Sequence, residues 1–252
     1  MSARAVRIAL AVLAGWVTSA CHNPLGRQYE YEEQLYLNVD GSGTVIVDGS
    51  FPAFVALHGL AVDSAPHALS DRNDVRRAFE HAGCRVTSVG QPWRRNGRRF
   101  IQVRLQTDDV RTLGTCTLLA WSTYAFDRSD AGIHYHQHVG ASTGGSPGTV
   151  NWDGGELVAF KLHLPSRVVF HNVKRLDDGQ TGDLERGNIL TWEQRLTDRR
   201  AGTPIEMDVR MEGQSILYRA LWLFAGAFLA AVGALAALIS WTMRRGRRLR
   251  QS

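Results

Sequence analysis

The sequence is poor in lysine and lacks the short motifs of several enzyme classes. Lys161 and Lys174 are the only lysines among 29 basic residues, a bias towards arginine that indicates a high-GC bacterial genome. The glycine-rich segment 144–148 has no Gly-Lys-Ser/Thr ending, which excludes a phosphate loop, and no His-Glu-x-x-His zinc motif occurs. We expect neither a nucleophile elbow nor a Ser-His-Asp triad. Because none of these sites is expected, the sequence predicts no catalytic residue and no cofactor.

Acidic residues are absent from both ends of the chain. The formal net charge of +5 comes from eight arginines in these ends, namely Arg4, Arg7, Arg219, Arg244, Arg245, Arg247, Arg248 and Arg250. The middle of the chain keeps 21 basic and 24 acidic residues, a net charge of −3. The basic pI therefore reflects the flanks of membrane segments, and we exclude nucleic acid as a partner.

The N-terminus has the pattern of a signal peptide over residues 1–20. Arg4 and Arg7 precede the short apolar run from Ile8 to Val17, and small residues stand before Cys21. Lipidation of Cys21 and ordinary cleavage after Ala20 both fit this pattern, and each starts the mature chain at Cys21. An uncleaved anchor is the alternative, although the apolar run is short for a membrane span.

The C-terminus predicts one transmembrane helix over residues 217–243. Ala220 to Met243 is a run of 24 residues without charge, about 36 Å of helix. Trp222 and Trp241 lie near its two ends, where indole rings favour the membrane interface. The Arg-rich tail, residues 244–252, should remain in the cytoplasm. We therefore expect a single-pass protein of the cell membrane, with the domain 21–216 outside the cytoplasm.

Small residues recur along one side of this helix, at Gly226, Ala230, Gly233 and Ala237. Such a stripe permits close helix packing, so a membrane-protein partner or a homodimer through the terminal helix is one hypothesis. An ordinary alanine-rich helix is the other, because small residues also occur off this stripe.

The exported domain alternates strand patterns with two helix patterns. Helices are expected at Ala53–Leu60 and from Ser70 or Asp71 to Ala82, and a shorter one from Asp108 or Asp109 towards Cys116. The residues between them predict an α+β fold, an antiparallel sheet built of hairpins with both helices on one face. The expected hairpin turns are 40–43, 96–97, 129–132 and 200–202.

Cys84 and Cys116 are the two remaining cysteines. In an oxidising compartment two lone cysteines often pair, and we favour a disulfide between them. Two separately buried thiols are the alternative, because sequence spacing does not show whether the two side chains meet.

Three histidines alternate on a predicted strand, at positions 134, 136 and 138. A period of two places the imidazoles of His134, His136 and His138 on one face, where they could bind Zn²⁺ with an open fourth position. A polar, solvent-facing strand side is the alternative interpretation, since no further ligand motif accompanies them.

Four arginines surround the Asn96-Gly97 turn. Arg94, Arg95, Arg98 and Arg99 lie beside Trp93 and Phe100. Such a tip suits contact with phosphates or with an anionic membrane surface. A solvated hairpin end is the alternative.

The layout of the chain resembles the LppM-like family of bacterial envelope lipoproteins. The likeness rests on the leader that ends at Cys21, the early segment Leu35-Tyr36-Leu37-Asn38-Val39-Asp40-Gly41-Ser42-Gly43, the late segment Gly187-Asn188-Ile189-Leu190-Thr191-Trp192, and the terminal membrane helix. The resemblance implies an α+β envelope domain that contacts lipids or glycolipids, and it carries over no catalytic residues.

Three functions follow as hypotheses. The leading one is a non-enzymatic, membrane-anchored envelope domain that binds a lipid, a glycolipid or a protein partner near the membrane. The second is a metal-dependent envelope enzyme that uses the His134, His136 and His138 strand. The third is a structural subunit of a membrane complex that assembles through the terminal helix.

Overall fold

The computed structural model describes residues 27–65, 67–68 and 72–249. The predicted signal peptide and Cys21 lie outside the described residues. Within them, strands and a few helices form a mixed α+β domain, and one long helix follows it. The predicted fold class is confirmed.

Seven strands form a large sheet. Their spatial order is β10-β8-β1-β2-β5-β3, and β4 also pairs with β5. The strands are β1 (Tyr29–Leu37), β2 (Gly43–Ser50), β3 (Val86–Val89), β4 (Trp93–Arg95), β5 (Arg98–Thr107), β8 (Leu157–His163) and β10 (Ile189–Arg195). The β1–β2 and β4–β5 hairpins turn where the sequence predicts, and Asn96 and Gly97 both adopt positive φ, as a tight two-residue turn requires.

Four further strands form a second, smaller sheet. Its order is β6-β7-β11-β9, and all of its pairs are antiparallel. The strands are β6 (Ser122–Ser129), β7 (Gly132–Val139), β9 (Ser166–His171) and β11 (Ile205–Ser215). The β6–β7 hairpin turns at residues 129–132, as the sequence predicts.

Short helices pack beside the small sheet on one face of the large sheet. Helix α1 (Phe51–His58) is capped by Ser50, whose hydroxyl accepts a hydrogen bond from the Ala53 N–H (3.0 Å). Helix α2 (Arg72–His81) buries Val75 and Phe79. A 3₁₀ helix, Val110–Thr115, begins at the capping residue Asp109 and is followed by a second at Thr117–Leu119. Together these elements cover what we call the inner face of the large sheet and enclose one hydrophobic core.

Two pairings differ from the sequence-based expectation. β1 and β8 run parallel, although about 120 residues separate them along the chain. β10 and β11 were expected to form a hairpin, and this is wrong, because they belong to different sheets. Helix α3 (Leu196–Arg200) lies between them and redirects the chain, so that β11 enters the small sheet between β7 and β9.

The last helix, α4 (Ile216–Leu249), follows β11 without a loop. Its segment Leu221–Trp241 has a mean hydropathy of 2.2 and is long and apolar enough to cross a membrane. It is the one such helix among the residues that the structure describes. The side chains of Leu221–Trp241 are exposed rather than packed in the core, which favours membrane association over a buried core helix.

Candidate ligand-binding cleft on the outer face of the large sheet

The outer face of the large sheet carries a row of polar side chains. Glu32 on β1 lies opposite Asp48 on β2, and Asp48 lies opposite Gln102 on β5. Residues directly opposite on neighbouring strands point to the same side, so all three share this face. No helix or second sheet covers this row among the described residues.

The two carboxylates of this row have different partners. Glu32 accepts a hydrogen bond from Gln34 Nε2 (2.6 Å) and forms an ion pair with Lys161 Nζ (3.0 Å). Asp48 accepts a hydrogen bond from the uncharged Gln102 Nε2 (3.2 Å). Burial raises the pKa of Asp48 to about 6, and the hydrogen bond from Gln102 opposes that shift only in part.

The β4–β5 hairpin borders this face on one side and forms one wall of a cavity there. The Trp93 ring stacks on Phe100, with 5.8 Å between centroids and 22° between planes, and Trp93 remains 39% exposed. The Arg95 guanidinium lies 4.2 Å from the centroid of Phe100. Between this wall and the polar row is a cavity of about 450 Å³. It therefore combines an exposed aromatic ring with amide and carboxylate groups.

The other wall is the segment 173–185, which lies beside β8 and β10. Arg27 forms ion pairs with Asp177 in this segment and with Glu193 on β10, which tie the start of the chain to the wall. The Tyr29 hydroxyl donates a hydrogen bond to Glu193 Oε1 (2.5 Å), and burial followed by this bond raises the pKa of Tyr29. A second cavity of about 390 Å³ lies here, and Lys161 and Lys174 both line it.

The two cavities adjoin each other, because Arg27 and Tyr29 line both, and we call them together the outer cleft. The chain's only two lysines contribute to it, and both cationic and anionic side chains line it. Such a lining can form hydrogen bonds with many hydroxyl groups and does not favour a ligand of high charge of either sign.

Of the residues that line the outer cleft, the sequence singled out Trp93, Arg95 and Phe100 as part of the arginine-rich turn, and the others were not predicted. The alternation around Leu35 and Leu37 does imply that Gln34 and Tyr36 share the opposite face, and the rarity of lysine marks Lys161 and Lys174. These two signals were present in the sequence. The wall formed by residues 173–185 was not predictable, because it brings together segments that lie far apart in the chain.

The arginine hairpin, residues Trp93 to Phe100, is neither the fully accessible phosphate- or membrane-contacting tip predicted from the sequence nor the alternative, a solvated hairpin end. Arg98 is 7% exposed and forms ion pairs with Glu30 Oε1 (3.1 Å) and Glu156 Oε1 (3.5 Å). Arg99 is 6% exposed, donates hydrogen bonds to the backbone oxygens of Ala65 (3.1 Å) and residue 63 (2.5 Å), and lies over a phenylalanine ring. Both guanidiniums are thus occupied inside the domain.

The two remaining arginines differ from each other. Arg95 donates a hydrogen bond to the Tyr29 backbone oxygen, and burial lowers its pKa. Arg94 is exposed, as is Trp93. The prediction of four arginines on one accessible surface is therefore corrected to one exposed arginine beside one exposed tryptophan.

The arginine hairpin also lies at the end of the domain away from α4. Phe100 pairs with Ser50, and Thr107 pairs with Gly43 at the opposite end of β5. That opposite end meets the small sheet where β11 leads into α4, since the β1–β2 turn packs against Phe126 and Val39 accepts a hydrogen bond from Arg128 (3.2 Å). Seven residues at 3.3 Å each separate the two ends by roughly 23 Å.

The three alternating histidines share one exposed face, as predicted, but each meets a carboxylate on β11. His134 Nε2 lies 2.8 Å from Asp208, and His136 Nε2 and His138 Nδ1 lie 3.1 and 2.5 Å from the two oxygens of Glu206. Among the residues that the structure describes, no group of three or more His, Cys, Asp or Glu side chains is arranged to hold a metal ion. The observed pattern is a ladder of imidazole–carboxylate pairs.

Cys84 and Cys116 are joined by a disulfide in the structure, with 4.7 Å between their Cα atoms. The bond connects the segment after α2 to the residue between the two 3₁₀ helices. It ties the helical elements together beside the large sheet and lies outside the outer cleft.

The letters of a Gly-x-Ser-x-Gly motif occur twice, at residues 140–144 and 144–148. A nucleophile elbow needs a strand, a sharp turn and a helix in that order. Here both segments lie in the irregular stretch between β7 and β8, and no helix follows them. Their serines are therefore not placed as elbow nucleophiles.

A buried polar cluster connects the two sheets on the inner face. The Glu33 carboxylate accepts hydrogen bonds from the Tyr31 hydroxyl (3.2 Å), the Tyr124 hydroxyl (3.5 Å) and Gln137 Nε2 (3.5 Å). Burial raises the pKa of Glu33 to about 7, and these hydrogen bonds oppose the shift only in part. The alternation of Leu35 and Leu37 places Glu33 on the same inward face, but it does not show which groups surround the carboxyl group.

Comparison with known proteins yields one structural similarity. No family model and no curated protein matches the chain. The chain is similar to the folded domain of LppM from Mycobacterium tuberculosis, solved by NMR, with a TM-score of 0.37 and 10% sequence identity. The match covers 76% of this chain and 94% of that one.

Proposed function

We propose that the protein is a membrane-anchored envelope domain that binds a hydroxyl-rich glycan, free or as the head group of a glycolipid, in the outer cleft. In this proposal α4 crosses the membrane, the Arg-rich tail lies in the cytoplasm, and the domain lies outside. The observation that carries the proposal is the exposed Trp93 ring set beside the row Glu32, Asp48 and Gln102.

The chemistry of the outer cleft supports a sugar as ligand. One face of a pyranose ring is apolar and packs on an aromatic ring such as Trp93, while its hydroxyls both donate and accept hydrogen bonds. Carboxylates accept such bonds, and amides such as Gln102 do both. Phe100 stacks on Trp93 and restrains its ring before a ligand binds. Less side-chain entropy is therefore lost on binding.

The position of the outer cleft refines the ligand. Trp93 lies at the end of the domain away from α4, roughly 23 Å along the strands from the other end. A lipid with a small head group cannot keep its acyl chains in the bilayer and also reach a ring held this far from the end of the domain that joins α4. An extended glycan, whether free or on a lipid, can reach it.

The test is ligand capture by the full-length protein in nanodiscs. The probes are an array of short, soluble oligosaccharides and, separately, liposomes that carry glycolipids. We expect soluble oligosaccharides to be retained. Replacing Trp93 by Ala should weaken binding about tenfold, which corresponds to roughly 1.4 kcal/mol of lost contact. Retention from both probe sets would indicate recognition of the sugar itself, and retention from glycolipid liposomes alone would indicate a requirement for the lipid.

Arg94 provides the matched control. It is exposed on the same short strand as Trp93, and neighbouring strand residues point to opposite sides, so it faces away from the outer cleft. Arg94→Ala should bind as the wild type does. Equal loss in both variants, or no retention of any glycan by the wild type, would contradict the proposal.

A further inference from the structure

Two neighbouring apolar side chains on β9 are exposed near the start of α4. Val169 is 68% exposed and Phe170 is 44% exposed. Outside α4, the other exposed large hydrophobic residues in the described part of the chain are Tyr36 and Trp93, and both lie on the large sheet. β9 is an edge strand of the small sheet, so this apolar pair lies at a border of the domain.

The position of the pair follows from the strand register. Ser166, the first residue of β9, lies opposite Ser215, the last residue of β11, and α4 begins at the next residue. Val169 is three residues further along β9, which is about 10 Å at 3.3 Å per residue. The pair is therefore held close to the point where the chain enters its apolar helix.

A shallow apolar groove extends this surface to the β6–β7 turn. The groove has a volume of about 240 Å³, and its apolar lining comes from Val169, Ala131, Ile133 and Met211. The polar side chains that also line it are Asp127, Ser129, His134 and Arg210. It opens on the outer face of the small sheet and away from the outer cleft. We call Ala131, Val169 and Phe170 the β9 patch.

Two arginines flank the β9 patch. The Arg210 guanidinium lies 5.4 Å from the centroid of the Phe170 ring. The Arg167 side chain is 71% exposed and forms an ion pair with Glu212 (2.5 Å). Apolar side chains bordered by guanidiniums suit the boundary between acyl chains and phosphate groups, where each basic residue contributes about 1 kcal/mol near an anionic surface.

We propose that the β9 patch rests on the outer surface of the bilayer and orients the domain on its helix. Continuity with α4 selects this partner, because any membrane that holds α4 lies within reach of the patch. The head-group layer of one leaflet is about 5 to 8 Å thick. Since Val169 is about 10 Å along β9 from the helix end, the domain leans onto this edge rather than standing upright. This inference does not depend on the outer cleft.

The test maps lipid contacts of the full-length protein in liposomes of phosphatidylcholine and phosphatidylglycerol. The liposomes contain a phospholipid with a photoreactive diazirine near the glycerol end of one acyl chain. After irradiation, mass spectrometry identifies the peptides that carry lipid. Beyond α4, we expect adducts on the peptides that contain the β9 patch. Adducts on the arginine hairpin instead, adducts confined to α4, or crosslinks of the patch to a second copy would each overturn the proposal.

Variants distinguish lipid contacts of the β9 patch from lipid contacts of α4. Replacing Val169 and Phe170 by Ser should reduce adducts on β9 at least fivefold and leave those on α4 unchanged. Trp93→Ser removes an equally apolar exposed side chain at the far end and should change neither. An unchanged adduct yield on β9 in the folded double variant would also overturn the proposal. Should that variant fail to fold, the wild-type map and Val169→Ser still decide the question.

Discussion

The two faces of β1 hold neighbouring glutamates in opposite settings. Glu32 points to the outer face, where it meets the cation of Lys161 and the amide of Gln34. Glu33 points to the inner face, where hydroxyl and amide groups are its partners and no ion pair involves it among the described residues. One step along a strand thus separates an ion-paired carboxylate beside an open cleft from a carboxyl group enclosed between two sheets.

The difference shows what burial alone does to a carboxyl group. Asp48 and Glu33 lie on opposite faces, each accepts a hydrogen bond from a glutamine, and burial raises the pKa of both, to about 6 and about 7. Asp48 opens onto the outer cleft, where a ligand can replace the solvent. Glu33 meets only protein groups. A raised pKa therefore accompanies a candidate binding group on one face and a carboxyl group enclosed between the sheets on the other.

The largest expected effect concerns Glu30, the third glutamate of β1. Its carboxylate is buried with Arg98, which also meets Glu156. Arg98→Ala leaves both carboxylates in the interior without their cation, and should lower the free energy of unfolding by about 3 to 5 kcal/mol. Urea denaturation in detergent micelles, followed by near-UV circular dichroism, measures this.

Arg94→Ala in the same hairpin is the control, with an expected change within about 0.5 kcal/mol. Equal effects of the two substitutions would show that Arg98 is as solvated as Arg94, which would contradict its burial with Glu30 and Glu156.

The next effect concerns Glu33 and pH. Its pKa is about 7 in the fold and about 4.5 when unfolded, so between these values the folded state binds more protons than the unfolded state. Stability is therefore highest below about pH 4.5 with respect to this group and falls as pH rises towards about 7, by about 3 kcal/mol in total. Glu33→Gln should remove this decline and be more stable than the wild type at pH 8.

Thermal unfolding at pH 5 and pH 8 measures the effect. Glu32→Gln changes the neighbouring residue in the same way on the other face and should keep the decline of the wild type. If the stability of the wild type and of Glu32→Gln rose from pH 5 to pH 8, this result would contradict the assignment of the decline to Glu33.

Local sequence signals predicted the local elements well. Asp109 caps a helix, Asn96-Gly97 forms a tight turn, and alternation identified the strands of the first three hairpins. Each of these features depends on residues within a few positions of one another, where side-chain chemistry and backbone geometry decide the outcome.

The non-local features were not accessible to the same reasoning. The parallel β1–β8 pair, the separation of β10 from β11, and the wall formed by residues 173–185 depend on contacts between distant segments. The inward turn of Arg98 likewise depends on Glu30 and Glu156, each more than 50 residues away. Alternation showed which residues share a face, but not which faces would be covered.

The smallest effect tests whether the outer and inner faces of the large sheet are electrostatically independent. Lys161 lies 3.0 Å from Glu32, and its charge is one of the influences that lower the pKa of Asp48. Lys161→Gln should therefore raise the pKa of Asp48 further above about 6. The pKa of Glu33 should not change, because burial and its own hydrogen bonds set that value on the other side of the sheet. The loss of one partly exposed ion pair should lower stability by less than about 1 kcal/mol.

A pH titration by carboxyl ¹³C NMR follows Asp48 and Glu33 at once. Equal shifts of Asp48 and Glu33 would show that the faces are coupled, and the contrast drawn between them would not hold.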